Sequence, residues 1–391
     1  MADIELSEEQ GMLANSAGDF LQKHSSFEAV RQRLASDSGH DAAMWKEMAA
    51  LGWLGVALPE QHGGADMPVG ALVSLAEPMG RHLFASPFLA TTLAGRMLAV
   101  GGSEAQQARW LPGIASGETI ATVALTEPDG SWELGAPQLR AERRGGGYAL
   151  RGSKTFVLDA AVADLVLISA ELEGVPAVFA VERAALPDGA LRREVLIDEA
   201  RRGYRLDVDD FEVGADSRLD GDAPAALDHA YRLGALLVAA EMVGGTEGVM
   251  DLTLEYLRTR VQFGRLIGSY QALKHPMVDI MVVQEQARSL LHHAATIFER
   301  DAGLAEVALR MAKAMAGDCY THAADRAIQF HGGTGFTYEC HAQLFFRRAQ
   351  FCEYSFGDSR HHRRRLEPLL LEEGCVWESA HRLVPGGLPG G

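Results

Sequence analysis

Cysteine is scarce in this sequence, and its placement argues against two kinds of site. The four cysteines among 391 residues all lie in the last fifth of the chain: Cys319, Cys340, Cys352 and Cys375. No two of them have Cys-x-x-Cys spacing, so we expect reduced thiols rather than a disulfide framework or a zinc site. The histidine pairs His292-His293 and His361-His362 lack a third ligand at a recognisable spacing. We therefore predict no metal site.

Long apolar runs and basic stretches are also missing. No run of about 18 consecutive apolar residues occurs, and the first ten residues are acidic and contain no apolar core segment. We therefore expect a cytoplasmic protein that does not enter a membrane. Acidic residues outnumber basic ones by 53 to 36, which gives a formal net charge of −17. This balance argues against a nucleic-acid partner.

Apolar residues are plentiful, and their spacing changes twice along the chain. They make up 47% of the sequence, enough for the cores of two or three domains. Residues 1–118 show helical spacing and predict an α-helical domain. Residues 119–223 contain short β-favouring runs and predict a small antiparallel β domain, with hairpin turns at Gly145-Gly146-Gly147 and Glu173-Gly174. Residues 224–391 return to helical spacing and predict a bundle of four long antiparallel helices, so the predicted fold class is α+β, mainly α.

A polar corner interrupts the helical spacing between Tyr256 and His275. Gly264 and Gly268 end the first helical pattern, and apolar positions restart at spacings of three and four from Tyr270, so we predict a turn between two helices. Four cations lie in this stretch of an acidic chain: Arg258, Arg260, Arg265 and Lys274. They indicate either a solvated basic turn or a surface that meets an anion.

The residues of this corner resemble a known signature. The pattern Arg-x-Gln-Phe-Gly-x-x-Ile-x-x-Tyr-Gln, from Arg260 to Gln271, is similar to that of the acyl-CoA dehydrogenase family of flavoproteins. The resemblance implies that Arg260 and Gln271 reach the pyrophosphate of an FAD bound mainly by the neighbouring subunit, and that Phe263 packs beside the cofactor. A guanidinium suits this role because its fork of donors matches phosphate oxygens two at a time.

A segment after the first predicted strand resembles the Thr-Glu-Pro segment of the same family. It reads Thr126-Glu-Pro-Asp-Gly-Ser-Trp132. The resemblance implies that Thr126 and Ser131 contact the flavin and a phosphate, since a hydroxyl and exposed backbone donors in such a turn can hold them. The segment departs from the family pattern in having Trp132 after a shortened loop. Without the resemblance, its residues are equally compatible with an ordinary strand-to-loop turn.

The stretch from Gly152 to Asp159 resembles the second flavin segment of the family. In that segment an aromatic residue covers the isoalloxazine face, and a threonine two residues later hydrogen-bonds the ring near its hydride-accepting nitrogen. These roles fall on Phe156 and Leu158. Leu158 has no side-chain donor, so the resemblance implies that the backbone serves the flavin there.

A further cofactor segment runs from Gln329 to Phe336, where a predicted helix ends in glycines that allow a close approach. The resemblance assigns Gln329, Gly332 and Gly333 to the FAD pyrophosphate of the adjacent subunit. We predict that His331 is a packing residue. Because these segments occur in order over nearly the whole chain, the resemblance implies the acyl-CoA dehydrogenase fold, with a four-helix bundle as its C-terminal domain.

The resemblance also implies a reaction, the α,β-dehydrogenation of an acyl-CoA or a related acyl thioester in fatty acid or lipid metabolism. A carboxylate removes the α-proton, hydrogen bonds stabilise the charge on the thioester carbonyl, and the β-hydrogen leaves as hydride to FAD. The implied partners are the thioester, an electron-transfer flavoprotein or similar acceptor, and further subunits in a homotetramer or dimer.

The usual catalytic base of the family is missing. It is the glutamate of a Tyr-Glu-Gly-Thr motif, and aligning Arg347-Arg348-Ala349 with the family's Arg-Asp-Ala places Phe356 at that position. Phenylalanine cannot accept a proton. Some members place the base early in the first long helix of the bundle, where this chain has Gly234 and Ala235.

Four carboxylates are candidates for the base. Glu241 lies two helical turns beyond Gly234, in an apolar run that would bury it; the alternative is a structural carboxylate paired with an arginine of the bundle. Asp358 lies on the replaced motif, where the alternative role is a contact with the cofactor. Glu353 and Asp159 flank the two flavin segments.

Three hypotheses follow. The first is an FAD-dependent acyl-CoA dehydrogenase with an unconventional base. The second is a base-lacking subunit of a hetero-oligomeric dehydrogenase, which completes the FAD site of a paralogous subunit through Arg260, Gln271 and Gln329. The third is a flavoprotein that uses the same fold for other chemistry in a biosynthetic pathway. The sequence does not identify the acyl group or the electron acceptor.

Overall fold

Two compact units make up the protein, and each is assembled from separate pieces of the chain. The computed structural model describes residues 7–371. Within them, residues 7–19, 73–82 and 235–371 form one unit, here called the helical unit. Residues 20–72 and 83–234 form the other, here called the mixed unit because it contains both helices and a sheet. Cys375 lies outside the described residues.

Helices dominate the part of the chain before the sheet, as the spacing of its apolar residues predicts. Their bounds are α1 Glu8–His24, α2 Phe27–Ala35, α3 Ala42–Ala50, α4 Val73–Arg81, α5 Phe88–Gly101 and α6 Glu104–Ser116. Local chemistry sets both ends of α6. Ser103 and Gln106 form a reciprocal capping box at its start, and Gly117 ends it in the left-handed conformation with φ 76°.

Seven strands form the sheet of the mixed unit. They are β1 Ala121–Ala124, β2 Arg140–Arg144, β3 Gly147–Leu158, β4 Leu165–Leu172, β5 Val175–Glu182, β6 Leu191–Glu194 and β7 Gly203–Gly214. Their order is β1-β4-β2-β3-β7-β6, with β5 also paired to β4. The predicted hairpin turns are confirmed, since Gly145 and Gly146 join β2 to β3 and Glu173-Gly174 join β4 to β5.

The sheet is mixed rather than antiparallel throughout. The antiparallel prediction is confirmed for β2–β3, β3–β7, β4–β5 and β6–β7, but it is wrong for β1–β4 and β2–β4, which are parallel. The prediction assumed that strands pair with their neighbours in sequence. Instead, β1 and β2 pair with successive stretches of the same edge of β4, and β5 pairs with its other edge. No tight turn joins β4 to β1 or β2 to impose an antiparallel direction.

The strand β4 lies at the centre of the mixed unit and is buried on both faces. Leu165 and Leu167 join a core cluster with α5 and α6, whereas Val166 and Ile168 join a second cluster on the opposite face. None of these four side chains is exposed. An unbroken apolar run is the expected sequence of a strand covered on both sides.

The later part of the chain returns to helices and supplies most of the helical unit. Its elements are α7 Ala223–Thr259, a short hairpin of β8 Val261–Gln262 and β9 Arg265–Leu266, α8 Gln271–Ile297, α9 Ala302–Phe330, α10 Ala342–Glu353 and α11 Ser359–Leu371. The prediction of four long helices is therefore corrected to three long helices and two shorter ones. The break between α10 and α11 contains Phe356 and Gly357 with φ 56° and 97°, and a right-handed helix cannot continue through such residues.

Two glycines bring α4 and α7 into backbone contact within the helical unit. A Cβ built on Gly80 would lie 2.0 Å from the backbone oxygen of Glu241, and one built on Gly244 would lie 1.8 Å from that of Glu77. Only glycine fits at these two positions. The helix α7 is long and apolar enough to cross a membrane, but 94% of its most apolar window is buried in the protein, as expected for a core helix.

Candidate functional site

The corner predicted between Tyr256 and His275 is a turn between α7 and α8, built on a two-residue hairpin. Phe263 and Gly264 occupy its tip with φ 51° and 79°, between the paired strands β8 and β9. Two consecutive residues of positive φ are typical of a type I′ turn, and glycine suits the second of them. The turn holds the Phe263 side chain 92% exposed.

A cavity of about 680 Å³ opens beside this hairpin. Four residues predicted to bind FAD line it together: Arg260, Phe263, Gly332 and Gly333. Aromatic side chains supply much of the remaining wall: Tyr256, Tyr270, Phe330 and His331. Gln271 and Gln329 are not among the lining residues, although each is the sequence neighbour of a residue that is.

The end of α9 forms the other side of the cavity. Gly332 follows the helix with φ 63°, and a Cβ built on Gly332 or Gly333 would meet no atom within 4 Å. A side chain at either position would occupy space that is open for a ligand. The packing role predicted for His331 is confirmed, because its buried ring stacks on Tyr256 at 4.3 Å and its Nδ1 donates a hydrogen bond to Ala327 O at 2.7 Å.

The donor set of the cavity fits a diphosphate. Arg260 contributes a guanidinium to the lining, and the glycine backbone leaves room for phosphate oxygens. Arg265 is engaged elsewhere, since its guanidinium lies 3.8 Å from the centre of the Tyr270 ring. Arg258 and Lys274 do not line the cavity. Of the four cations of the corner, Arg260 is the one that lines the cavity.

In the mixed unit, the two predicted flavin segments are joined to each other. Thr126 O accepts a hydrogen bond from Thr155 N at 2.9 Å. Beside this bond, the buried Lys154 forms an ion pair with the buried Glu127 and donates to Ser169 Oγ at 2.8 Å. Burial lowers the pKa of Lys154, although the charge of Glu127 opposes the shift. The carboxylate of Glu127 compensates part of the cost of burying the lysine charge.

The individual flavin residues have distinct surroundings. Phe156 is half-buried and has φ 57°. Leu158 is buried, and its carbonyl accepts a hydrogen bond from Thr122 Oγ1 at 2.5 Å. Ser131 N donates to Asp129 Oδ1 at 2.9 Å, which closes the turn around Gly130. The roles of these residues toward the flavin stay predictions.

The position aligned with the family's base lies in the break between α10 and α11. Phe356 O accepts a hydrogen bond from Nε2 of the buried His362 at 2.9 Å. Gly357 O accepts one from Nζ of the buried Lys313 at 2.8 Å. Burial lowers the pKa of Lys313 to about 8 and that of His362 to about 2. Two buried basic side chains therefore fix the backbone that carries Phe356.

The candidate bases of the helical unit are engaged in structural contacts. Glu241 is buried, and its Oε2 lies 3.5 Å from Nη1 of the buried Arg348. Asp358 Oδ1 accepts a hydrogen bond from His361 N at 2.6 Å, so it caps the start of α11. Glu353 accepts from Ser359 N at 2.8 Å and from Ser359 Oγ at 3.2 Å. The sequence left two alternatives for Glu241, a catalytic base or a structural carboxylate paired with an arginine of the bundle. The contact with Arg348 corresponds to the second.

Asp159 of the mixed unit differs from those three carboxylates. Burial raises its pKa to about 6, against the opposing charges of Arg201 and Arg202. Its backbone has φ 55°, and its N–H donates to Arg202 O at 2.7 Å. Asp159 therefore gains its proton in mildly acidic solution.

Glu194 on β6 contacts the second flavin segment without being part of it. Its carboxylate accepts hydrogen bonds from Thr155 Oγ1 at 2.5 Å and from Phe156 N at 2.9 Å. Glu194 lies 38 positions beyond Phe156 and belongs to no motif. The sequence carries no signal that would have connected the two.

Comparison with known proteins agrees with the resemblance seen in the sequence. The family model described as "Acyl-CoA dehydrogenase, N-terminal domain" matches residues 7–118, and "Acyl-CoA dehydrogenase, C-terminal domain" matches residues 227–368. The acyl-CoA dehydrogenase IpdE2 of Mycolicibacterium smegmatis is 31% identical over 367 residues, which are 93% of this chain and 99% of that protein.

Solved structures have the same architecture. A chain in the crystal structure of the ChsE4-ChsE5 complex from Mycobacterium tuberculosis superposes with a TM-score of 0.86 at 28% identity, covering 95% of this chain and 99% of that one. Glutaryl-coenzyme A dehydrogenase in its glutaryl-CoA complex gives 0.85 at 25% identity, covering 93% and 95%. The predicted fold class and the FAD cofactor are confirmed. The chain belongs to the acyl-CoA dehydrogenase family of FAD-dependent oxidoreductases, which act on CH–CH donors.

Proposed function

We propose that this chain is a subunit of an FAD-dependent enzyme for the α,β-dehydrogenation of an acyl-CoA thioester, and that a paralogous subunit supplies the catalytic base. Its corner contacts the pyrophosphate of the FAD held by that partner. Turnover occurs at the partner's FAD. The chain keeps flavin segments of its own around Thr126 and Phe156.

One observation carries this proposal: the helical unit offers no carboxylate that is ready to take a proton at the family's position. Phe356 occupies that position by alignment, and the nearby candidates have structural tasks. Glu241 pairs with Arg348, Asp358 caps α11, and Glu353 holds Ser359. A carboxylate engaged in this way would have to break its contact before it could act as a general base. These contacts favour the base-lacking subunit over an unconventional base.

The residues of the corner have a defined task in this proposal. FAD, when bound, supplies the chemistry of accepting a hydride from the β-carbon. Arg260 binds the diphosphate by charge-assisted hydrogen bonds, and Gly332 and Gly333 let it approach the backbone. Phe263 and the aromatic wall exclude water from the cofactor.

Exposed apolar side chains in the helical unit support a partner subunit. On α8, Val278, Met281 and Val282 are 53%, 49% and 49% exposed. Their spacing of three and four places them on one face of the helix. Phe263 is exposed beside the cavity, and the structurally similar ChsE4-ChsE5 chain comes from a complex of two different chains. We propose that a paralogous chain covers this face, in place of the homotetramer expected from the family.

Two further features complete the proposal. An electron-transfer flavoprotein or a similar acceptor reoxidises the FAD, and the protein works in the cytoplasm. The relatives span several substrates by name, including isovaleryl-CoA and methylsuccinyl-CoA.

Anaerobic flavin bleaching tests the proposal directly. We expect the purified, FAD-loaded chain to stay yellow with straight-chain, branched and steroid-derived acyl-CoA thioesters. Co-expression with a paralogous chain that retains the glutamate should give an assembly that bleaches with at least one of them. Bleaching of the isolated chain would overturn the proposal, because it would require a base within this sequence.

The variant Phe356→Glu provides a second test by restoring the family's carboxylate. Gain of bleaching by the isolated variant would support the proposal, since the base would then be the missing component. Phe356→Gln serves as the control, because glutamine has nearly the same size as glutamate but is not a base. Equal gain in both variants would contradict the assignment of position 356 to proton transfer.

A further inference from the structure

Three consecutive residues of the mixed unit, Lys154, Thr155 and Phe156, are each held by a carboxylate. Lys154 is fully buried and forms its ion pair with Glu127. Thr155 Oγ1 donates to Glu194 Oε1 at 2.5 Å, and Phe156 N donates to Glu194 Oε2 at 2.9 Å. The segment is thus anchored to β6 on one side and to the Thr126–Glu127 turn on the other.

The Glu194 contacts are needed because the hydrogen-bond ladder between β3 and β7 is interrupted at Thr155 and Phe156. Its register shifts between Lys154 and Val157, so Thr155 and Phe156 have no paired residue on β7. A backbone N–H without a strand partner requires another acceptor when it is withdrawn from water. One oxygen of Glu194 serves the Phe156 N–H, and the other serves the Thr155 hydroxyl.

Phe156 also has a backbone conformation that a bulky side chain rarely adopts. Its φ is 57°, in the left-handed region that favours glycine. Such a conformation persists when surrounding contacts determine it, and it is often found at ligand sites. The Glu194 carboxylate accepts a hydrogen bond from the Phe156 amide and so contributes to holding this conformation.

The register of the neighbouring strands explains why Glu194 reaches this point. Glu194 on β6 is opposite Gly203 on β7, and Gly203 is in turn opposite Leu158 on β3. Gly203 places no side chain between Glu194 and β3. A Cβ at Gly203 would lie 2.9 Å from Leu196 Cδ1. A short side chain at position 194 would not span β7.

We propose that Glu194 is a positioning residue for the flavin that this chain itself holds. By binding the Thr155 hydroxyl and the Phe156 amide together, it fixes the direction in which the Phe156 ring meets the isoalloxazine. The proposal rests on the flavin role of Phe156 in the proposed function. It concerns binding and orientation, and it does not require turnover at this flavin.

Titration of the purified apo-chain with FAD tests the proposal. Glu194→Gln retains the size of the side chain but only one of its two acceptors, and Thr155→Val removes the hydroxyl contact alone. We expect Glu194→Gln to bind FAD about tenfold more weakly and to shift the flavin absorbance band and midpoint potential. Thr155→Val should change the affinity, the band and the potential in the same direction but by less. Glu142→Gln, an exposed carboxyl-to-amide change on β2, is the matched control and should behave as the parent.

A double-mutant cycle without FAD tests the contact itself. Valine has no hydroxyl to donate to Glu194, so Glu194→Gln should lower the urea midpoint less in a Thr155→Val background than in the parent. Equal effects in both backgrounds would overturn the proposal, because Glu194 would then not hold the Thr155–Phe156 segment through this contact. Parental affinity, spectrum and potential in Glu194→Gln would also overturn it. A parent chain that binds no FAD would overturn the flavin role of Phe156 and this proposal together, whereas the cycle still reports the contact.

Discussion

Arg348 Nη1 lies 3.5 Å from Glu241 Oε2, and both side chains are buried in the helical unit. Because water does not reach either side chain, each charge is compensated by the other. The pair joins α7 to α10 across the unit. Glu241 is therefore a structural residue of the bundle. Variants that break this ion pair and amide variants of the candidate bases both test the assignment.

Breaking the Glu241–Arg348 pair from one side should destabilise the protein strongly. We expect Arg348→Met to lower the free energy of unfolding by about 3–5 kcal/mol, because it leaves a buried carboxylate without its cation. The double variant Glu241→Leu/Arg348→Met should recover part of that loss, since neither position then buries a charge. Urea unfolding of the single and double variants measures both values. A double variant less stable than Arg348→Met would contradict this account.

Amide variants of the candidate bases should leave flavin reduction nearly unchanged. Glu241→Gln should lower the stability of the chain because it breaks the pair with Arg348. In the folded assembly with a paralogous chain, we nevertheless expect Glu241→Gln and Asp358→Asn to reduce flavin within about threefold of the parent rate, because neither side chain accepts the α-proton. Stopped-flow absorbance under anaerobic conditions measures the rate. A loss of several orders of magnitude in one variant, with FAD content unchanged, would identify that carboxylate as the base.

The cavity at the corner predicts different consequences for two neighbouring arginines. Arg260→Ala should weaken FAD retention by the assembly about 10- to 100-fold, the effect of losing hydrogen bonds to a charged group. Arg258→Ala is the matched control, because Arg258 is exposed and does not line the cavity. Flavin absorbance after gel filtration measures the retained FAD. Undiminished content in Arg260→Ala would contradict the assignment across the subunit interface.

Lys313 predicts a dependence of stability on alkaline pH. Burial lowers its pKa from 10.5 to about 8, so below pH 8 both the folded and the unfolded chain carry the proton. Between pH 8 and 10.5 the unfolded chain binds it more strongly, and the free energy of unfolding therefore rises with pH by up to about 3 kcal/mol from this group. Urea unfolding of the parent and Lys313→Met across this range measures the difference. A constant difference between the two would contradict the shifted pKa.

The features that could be predicted from the sequence are those that depend on the spacing of nearby residues and on short motifs. The helical segments, the hairpin turn at Glu173-Gly174 and the corner between α7 and α8 follow from patterns a few residues long. Arg260 and Gly332 lie at the same cavity as the resemblance implies. The domain boundaries at 118/119 and 223/224 stay a prediction, as do the individual FAD contacts.

The remaining features depend on contacts between distant parts of the chain. The pairing of β4 with both β1 and β2 along one edge is not visible in the hydrophobicity of any one strand. The break between α10 and α11 has positive φ at Phe356 and Gly357, and the Gly357 carbonyl accepts a hydrogen bond from Lys313, 44 positions earlier in the chain. Glu194 reaches Phe156 only because β6, β7 and β3 are adjacent.

The crossing of α4 and α7 at Gly80 and Gly244 has a consequence for folding. Most of the mixed unit, residues 83–234, separates the two helices in sequence. During synthesis α4 leaves the ribosome long before its partner exists, and closing so long a loop is slow. The amide protons of α4 should therefore gain protection from exchange late, together with those of the second half of α7, after the sheet has already formed.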